Sequence, residues 1–286
     1  MDETTNEHVI YCQDTDMSDM MLRDKIREKG AVPESLLHLV PNRYEVIGDV
    51  AVIVIPYQLQ KYKHVIAKTI TEQRKNIRTV LNKVAMLDGD ARVGGYEILY
   101  GSETITLHRE YGHRYRMDVR TVFFNTHLAY ERFRIASKVR HDEHVLVPFS
   151  GVGPFVIPAA VRGARVTAVD SNPMACQWLA DNVRLNHVEE YISVILGDAQ
   201  SIPRMLKPGY DRAIIPAPYG MDPFLWDVAG MVKKGGIIHS YTFKKSHEIP
   251  GLVEEYGQND LEVEFHRQCG NVAPGVSRWV FDLIKH

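Results

Sequence analysis

The chain has 286 residues, 45% of them hydrophobic and 24% charged, with 34 Lys and Arg against 36 Asp and Glu. At ~150 residues per domain this is one large globular domain or two unequal ones, and it excludes a disordered acidic chain, a collagen-like repeat and a disulfide-stapled miniprotein. Three scattered cysteines (Cys12, Cys176, Cys269) without a CxxC, no signal-peptide order at the N-terminus and no apolar run near the ~20 residues that span a bilayer point to a cytoplasmic protein with reduced thiols and no membrane partner.

In chain order, residues 1–40 read as a polar N-terminal arm with one short helix, about Met17–Lys29, stopped at Gly30. Tyr44–Pro56 holds two β-rich runs broken at Gly48-Asp49, a hairpin signal. Helical spacing over Tyr62–Leu81 makes Val65, Ile66, Ile70, Ile77, Val80 and Leu81 the buried stripe. Strands around Tyr96–Leu99, Thr104–His108 and Arg114–Val119 complete a small α+β domain over 41–120. Charge is concentrated nearby: residues 61–140 carry 16 Lys or Arg against 8 Asp or Glu. One cluster runs from Lys61 to Lys83 and a second from Arg109 to Arg140. Such an excess suits a phosphate backbone; for the first cluster a solvated helix face is the alternative.

From His144 the pattern alternates. Val145–Phe149 is a short buried strand, a helix follows Pro154, Ala164–Asp170 is a second strand and a helix runs through Met174–Leu185. YISVILGD, DRAIIPAP and GGIIHSYTF supply further strands. Strand–helix alternation predicts an α/β domain over 121–286, a parallel sheet with helices on both faces.

The sharpest motif is VLVPFSGVGPF, a buried strand running into Gly151-Val152-Gly153. Glycines there let the backbone turn tightly and approach a ligand. Asp170 ends the next strand, 19 residues after Gly151, where a carboxylate accepts from both ribose hydroxyls of an adenosine. Asp198-Ala199, after the following strand, can read the adenine amino group. A dinucleotide site needs a third glycine at position 156, which is Val, and no P-loop lysine follows. These residues, with Phe149 beside the turn, therefore predict S-adenosylmethionine over a nicotinamide cofactor.

From Tyr44 onward the chain resembles the archaeal and eukaryotic tRNA guanosine-37 N1-methyltransferases and their relatives, the wybutosine-pathway aminocarboxypropyltransferases. The likeness rests on YEVIGDVAVI, TITLHREYGHRYRMDV, VFFNTHLAYERFRI, PFSGVGPFVIP, AVDSNPMACQWLADNVRLN, GGIIHSYTF and VAPGVSRWVFDL. The resemblance implies a Rossmann-like class I methyltransferase domain behind an RNA-contacting α+β domain, with tRNA as partner and a monomeric state. It implies Glu131 as general base and Arg92 as the cation near guanine O6. Arg132, His127, Pro216 and Tyr219 are implied to line the acceptor pocket. The chemistry agrees, since guanine N1 is protonated and a poor nucleophile until a carboxylate takes its proton. Three positions depart from the family: Val147 replaces an acid in the strand before the glycine turn, Pro216 an asparagine, and His127 an arginine.

Methyl transfer is the leading reading. Aminocarboxypropyl transfer is the alternative, because the ending Ala273-Pro274-Gly275-Val276 looks like that branch. An RNA-binding relative that has lost activity is a third, favoured by Val147 and Pro216 and opposed by Glu131 and Asp170. The His141–His144 cluster reads as a polar turn with no cysteine to complete a zinc site, so no metal is expected. Cys176 reads as a small core residue.

Overall fold

The computed structural model describes residues 21–84, 95–221 and 223–286. Arg92 and Cys12 lie outside the described residues. The chain begins with α1 (Leu22–Glu28) and α2 (Glu34–Leu37), then the hairpin β1 (Glu45–Ile47) and β2 (Val50–Ile53). Gly48 turns the hairpin at φ +60°, where a Cβ would strike Leu107 O at 2.8 Å. Leu22, Ile26, Leu37 and Val40 share a core with Ile53, Ile66 and Ile70. The described part of the expected arm is thus structural.

The helix expected over Tyr62–Leu81 is a helix and a strand. After a 3₁₀ turn, α3 (Lys63–Gln73) stops at Arg74, and β3 (Thr79–Val84) returns parallel to β2. Ile77, Val80 and Leu81 are buried as the helical stripe requires. The exposed Lys75-Asn76 turn interrupts the helix, and Thr79-Val80-Leu81, two of them β-branched, fits a pleated surface better than a helix. β4 (Gly95–Tyr100) closes this sheet in the order β1-β2-β3-β4.

β5 (Ile105–Glu110) and β6 (His113–Asp118) form a separate hairpin. α4 (Ala129–Lys138) follows, and the main sheet begins at β7 (His144–Pro148). Chain order continues through α5 (Val156–Val161), β8 (Arg165–Asp170), α6 (Pro173–Leu185), β9 (Ile192–Leu196), α7 (Ile202–Met205), β10 (Tyr210–Ile215), α8 (Phe224–Ala229), β11 (Val232–Lys244), α9 (Ile249–Gln258), β12 (Leu261–Ala273) and β13 (Val276–Lys285). The sheet order is β12-β13-β11-β10-β7-β8-β9. Five strands, β9-β8-β7-β10-β11, are parallel as expected. The last two are a long antiparallel hairpin. Polar residues alternating along EVEFHRQ hide that edge strand from a reading tuned to buried apolar runs.

The β5–β6 hairpin is bound to this second body by two asparagines one turn apart, Asn182 in α6 and Asn186 at its C-cap. Asn182 Oδ1 accepts the Arg116 N–H (2.6 Å) and its amide donates to Arg116 O (3.0 Å). Asn186 repeats the pattern at Arg114, at 2.9 and 2.7 Å. The two side chains act as a substitute strand along the open edge of β6, so that its partly buried backbone groups are paired. A mixed core of Ile47, Val50 and Leu81 with Met117, Val152, Ile157 and Ala175 joins the two sheets.

Candidate active site

The cofactor half lies at the C-terminal ends of β7, β8 and β9, where open α/β sheets bind ligands. Leaving β7, the backbone takes positive φ at Phe149 (+53°), Gly151 (+54°) and Gly153 (+96°). A left-handed phenylalanine is strained backbone, and such strain gathers at ligand clamps. The two glycines are required for different reasons. A Cβ on Gly151 would meet only Phe123 O, at 4.0 Å, so that side of the turn is open. On Gly153 it would strike Leu179 Cδ1 at 2.5 Å, so this glycine serves the packing of the turn on α6 rather than a ligand's approach.

Asp170 is half-buried at the end of β8. Oδ2 accepts the Gly151 N–H (2.7 Å) and Oδ1 the Asn172 N–H (2.9 Å). One backbone donor per oxygen fixes the carboxylate while leaving a lone pair on each for a ribose hydroxyl. Asn172 then caps α6 by accepting from Met174 N (2.9 Å), with Pro173 at the first helical position. Gly197 N–H donates to Asp170 O (2.9 Å), aligning the ends of β8 and β9. Asp198 is exposed and caps the next turn through Gln200 N–H (2.9 Å), and Ala199 is buried beneath it. Phe149 packs edge-on against Phe224 (5.0 Å). An open glycine turn and a preoriented carboxylate with free lone pairs fit the adenosine part of S-adenosylmethionine. Val147 is fully buried in the core and offers the cofactor no polar contact.

Glu131, on α4, is 2% exposed. Arg134 Nε (3.0 Å) and the Tyr241 hydroxyl (3.3 Å) donate to its Oε2, and Arg267 pairs with Oε1. Strand register locates it: Ser240 pairs with Ile215, so Tyr241 stands level with Pro216, just past the end of β10. Phe155, immediately after the glycine turn, packs on Tyr241 (5.5 Å). Glu131 is therefore tied to the elements that carry the glycine turn and the Pro216–Tyr219 segment. Burial pushes the Tyr241 phenol well above its usual range, reinforced by the Glu131 charge, so it stays a donor.

Behind Glu131 lies a buried polar chain that the sequence did not disclose. Asp282, fully buried, accepts both terminal nitrogens of Arg134 (2.6 and 3.0 Å), Lys138 (2.7 Å) and His239 Nδ1 (2.6 Å). Arg212 places Nη1 2.7 Å from His239 Nε2 and grips Glu143 with Nε (2.8 Å) and Nη2 (3.0 Å). Guanidinium can only donate, so His239 accepts at Nε2 and is a neutral imidazole with its proton on Nδ1 toward Asp282. Burial lowers the His239 pKa against the pull of Asp282. Burial also works to raise the Asp282 carboxyl, but its hydrogen bonds from His239 and Arg134 hold it well below the ordinary range.

Several expectations change. Arg132 does not face an acceptor: it is 2% exposed, gripping Glu110 at 2.7 and 2.5 Å and Asn125 O at 2.9 Å over the Phe124 ring. Its direction was hidden because adjacent helical residues point to different faces. The second basic cluster shrinks for the same reason, since Arg132, Arg134 and Lys138 are engaged by internal carboxylates. His127 is exposed on the segment leading into α4, with its N–H on Asn125 Oδ1 (2.9 Å). Pro216 is half-buried after β10, and Tyr219 is 69% exposed against Phe243 (5.4 Å), itself covered by Arg278 (5.1 Å). Arg267 and Asp282 were missed because they lie 136 and 151 positions from Glu131, Arg267 on a strand outside every motif and Asp282 inside VAPGVSRWVFDL, where nothing local marks its partners.

Cys176 lies under the backbone oxygens of Asp170 and Ile195, and burial pushes its thiol up to about 11, which suits packing and not nucleophilic attack. Glu143, inside the histidine cluster, is held by Arg212. Among the described residues there is no group of metal-ligating side chains and no helix long and apolar enough to cross a membrane.

Comparison with known proteins agrees with this geometry. The model of the TRM5/TYW2 methyltransferase domain matches residues 106–258, and that of the TYW2 N-terminal domain residues 22–104. The chain is 36% identical over 257 residues to the tRNA (guanine(37)-N(1))-methyltransferase Trm5b of Pyrococcus abyssi, covering 87% of this chain and 76% of that one. It is 33% identical over 273 residues to the tRNA(Phe) (4-demethylwyosine(37)-C(7)) aminocarboxypropyltransferase of Pyrococcus horikoshii, covering 92% and 96%. The crystal structure of P. horikoshii TYW2 in complex with MeSAdo superposes with a TM-score of 0.73 at 31% identity, covering 92% of this chain and 97% of that one. The fold, the turn at Gly151 and these matches agree: the chain belongs to the TRM5/TYW2 family of S-adenosylmethionine-dependent tRNA-modifying transferases.

Proposed function

We propose that the chain methylates N1 of guanosine 37 in tRNA, next to the anticodon, acting as a monomer in the cytoplasm. The observation that carries the reading is Glu131, a buried carboxylate tied to the glycine turn on one side and to the end of β10 on the other. When bound, S-adenosylmethionine supplies a methyl carbon whose bond to sulfur breaks as the bond to nitrogen forms, sulfur keeping the electron pair. Glu131 accepts the N1 proton, leaving the ring neutral once alkylated. Asp170 and the open side of the Gly151 turn hold the adenosine. Tyr219, exposed and braced by Phe243, offers a face on which a splayed base stacks. By resemblance Arg92 is the cation near O6, and His127, the exposed Lys68 of α3 and Lys75 just beyond that helix meet the RNA. The α+β body over 41–120 is its RNA-contacting domain, and 121–286 the transferase domain.

A second reading has a specific observation in its favour. The N-terminal match is to the TYW2 domain, and the aminocarboxypropyltransferase is covered over nearly its whole length. One experiment decides. The protein is incubated with S-adenosylmethionine and, in parallel reactions, tRNA lacking position-37 modification or tRNA carrying 4-demethylwyosine there, and the digested nucleosides are weighed. N1-methylguanosine supports methyl transfer. An aminocarboxypropyl adduct, formed only on a tricyclic precursor, supports the second reading, and no product on either RNA rejects both.

A further inference from the structure

The two oxygens of Glu131 are held unequally. Oε2 faces an immobile scaffold: Arg134 is pinned by both oxygens of the fully buried Asp282, and Tyr241 belongs to the core of β11. Among the described residues, Oε1 is closed by Arg267 alone. Arg267 is borne on β12, an edge strand of the sheet, between the register shifts at Val263–Phe265 and after Gln268 in its pairing with β13. Its side chain is 39% exposed against 3% for Glu131, its guanidinium lies 4.8 Å over the half-exposed ring of Tyr130, and its Nε–H is buried without a partner. Of the three groups that donate to Glu131, Arg267 is the one that reaches solvent, and it is incompletely satisfied where it stands.

A carboxylate beside a guanidinium presents an acceptor next to a donor. The complementary partner is a ring N–H adjacent to a carbonyl, which guanine has at N1–H and O6. Adenine and cytosine present the opposite order, an acceptor nitrogen beside an amino group. Resting on the reading of Glu131 as base, we propose that Arg267 is a gate and a substrate-contacting catalytic residue. Without RNA it covers Oε1. When a lactam base enters, Arg267 leaves that oxygen while stacked on Tyr130, and donates to the base carbonyl as the adjacent nitrogen gives its proton to Oε1. The negative charge that gathers on the carbonyl oxygen then meets the Arg267 guanidinium in addition to the cation that resemblance puts there at Arg92, and the electron pair freed at nitrogen forms the new bond to carbon.

The test uses the full chain and tRNA carrying either guanosine or 6-thioguanosine at the acceptor position, under single-turnover conditions. Removing one donor to a developing oxyanion typically costs ~10²–10³-fold, so Arg267→Ala should slow transfer to guanosine by about that factor. Arg267→Lys should recover little, because a single ammonium does not reproduce the fork. Free guanidinium ion should restore part of the alanine variant's rate. Sulfur at position 6 should slow the wild type but scarcely slow Arg267→Ala further. S-adenosylmethionine affinity by calorimetry and melting temperature should stay close to wild type. A variant with undiminished rate, or one slowed by sulfur as much as the wild type, would overturn the inference and leave methyl transfer standing. Rate loss in step with a fall in melting temperature, without guanidinium rescue, would reduce Arg267 to a structural ion pair. A wild type that modifies no guanosine would instead overturn the reading of Glu131, and the gate with it.

Discussion

The two halves of the cleft are built by opposite strategies. The cofactor half is made of main chain: three left-handed residues within five positions and a carboxylate fixed by two backbone N–H groups. The acceptor half is made of side chains from α4, β11, β12 and β13, joined through Asp282. A main-chain site survives the loss of most single side chains. A buried ionic network does not, because removing one charge strands the others. Brittleness therefore belongs to the acceptor half, at its fully buried centre around Asp282 and His239 and not at the partly exposed Arg267.

The largest expected effect separates chemistry from binding. Glu131→Gln keeps shape but cannot take a proton, and loss of a general base typically costs ~10²–10⁴-fold. Single-turnover rates should fall by that range while cofactor affinity changes only a few-fold; a retained rate would place proton removal elsewhere. Asp282→Asn probes the brittleness directly. It touches no substrate, yet breaking a buried pair costs about 3–5 kcal/mol, and chemical denaturation should register that loss. A variant of unchanged stability would show the network to be dispensable.

The same network sets a pH dependence. His239 has a folded pKa below its ordinary 6.5, so the folded state resists protonation and its contribution is present above pH 6.5 and lost as pH falls. Asp282, held far below the ordinary carboxylate value of 3.8, adds stability above that value and loses it only in stronger acid. Melting temperature should therefore begin to drop below about pH 6.5, and His239→Gln should diminish that first step, leaving the part due to His113, whose pKa burial also lowers.

Asp170→Ala should act on the other half alone. It deletes charge-assisted hydrogen bonds worth ~1.5–3 kcal/mol each, so calorimetry should show weaker S-adenosylmethionine binding, while melting falls less than in Asp282→Asn because the two backbone donors that Asp170 holds are only partly buried. The smallest effect concerns RNA. Lys68 and Lys75 are exposed on and just beyond α3, whereas half-buried Arg74 lies over Tyr44. Reversing both lysines should weaken tRNA binding and flatten its log–log salt slope by about 0.7–0.9 for each phosphate left without its lysine.

The contrast also explains what the sequence made legible. Phe149–Gly153 and Asp170 were readable because their geometry is local, one turn and one strand end at a spacing fixed by the βαβ unit. Glu131 was readable only through resemblance, and nothing near it in the chain announces Arg267, His239 or Asp282. Arg132 was misplaced because a residue next to a functional one on a helix looks inward or outward by rotation, which composition does not reveal. The stripe ending in Val80 and Leu81 fitted a helix in burial but not in backbone, and nothing within AVDSNPMACQWLADNVRLN sets Asn182 and Asn186 apart as rungs for β6.

Glu45, on the first strand of the N-terminal sheet, accepts both the backbone N–H (3.0 Å) and the hydroxyl (2.9 Å) of Thr126, at the entrance to α4. The start of the helix carrying Glu131 is therefore fastened from outside the body to which that helix belongs. Modularity is limited accordingly. A chimera joining the 106–258 body to a foreign N-terminal unit would have to bring its own acid at this position and an apolar face to meet Val152 and Ile157. Recombination within this family is thus constrained by a clasp between the halves as much as by what either half recognises.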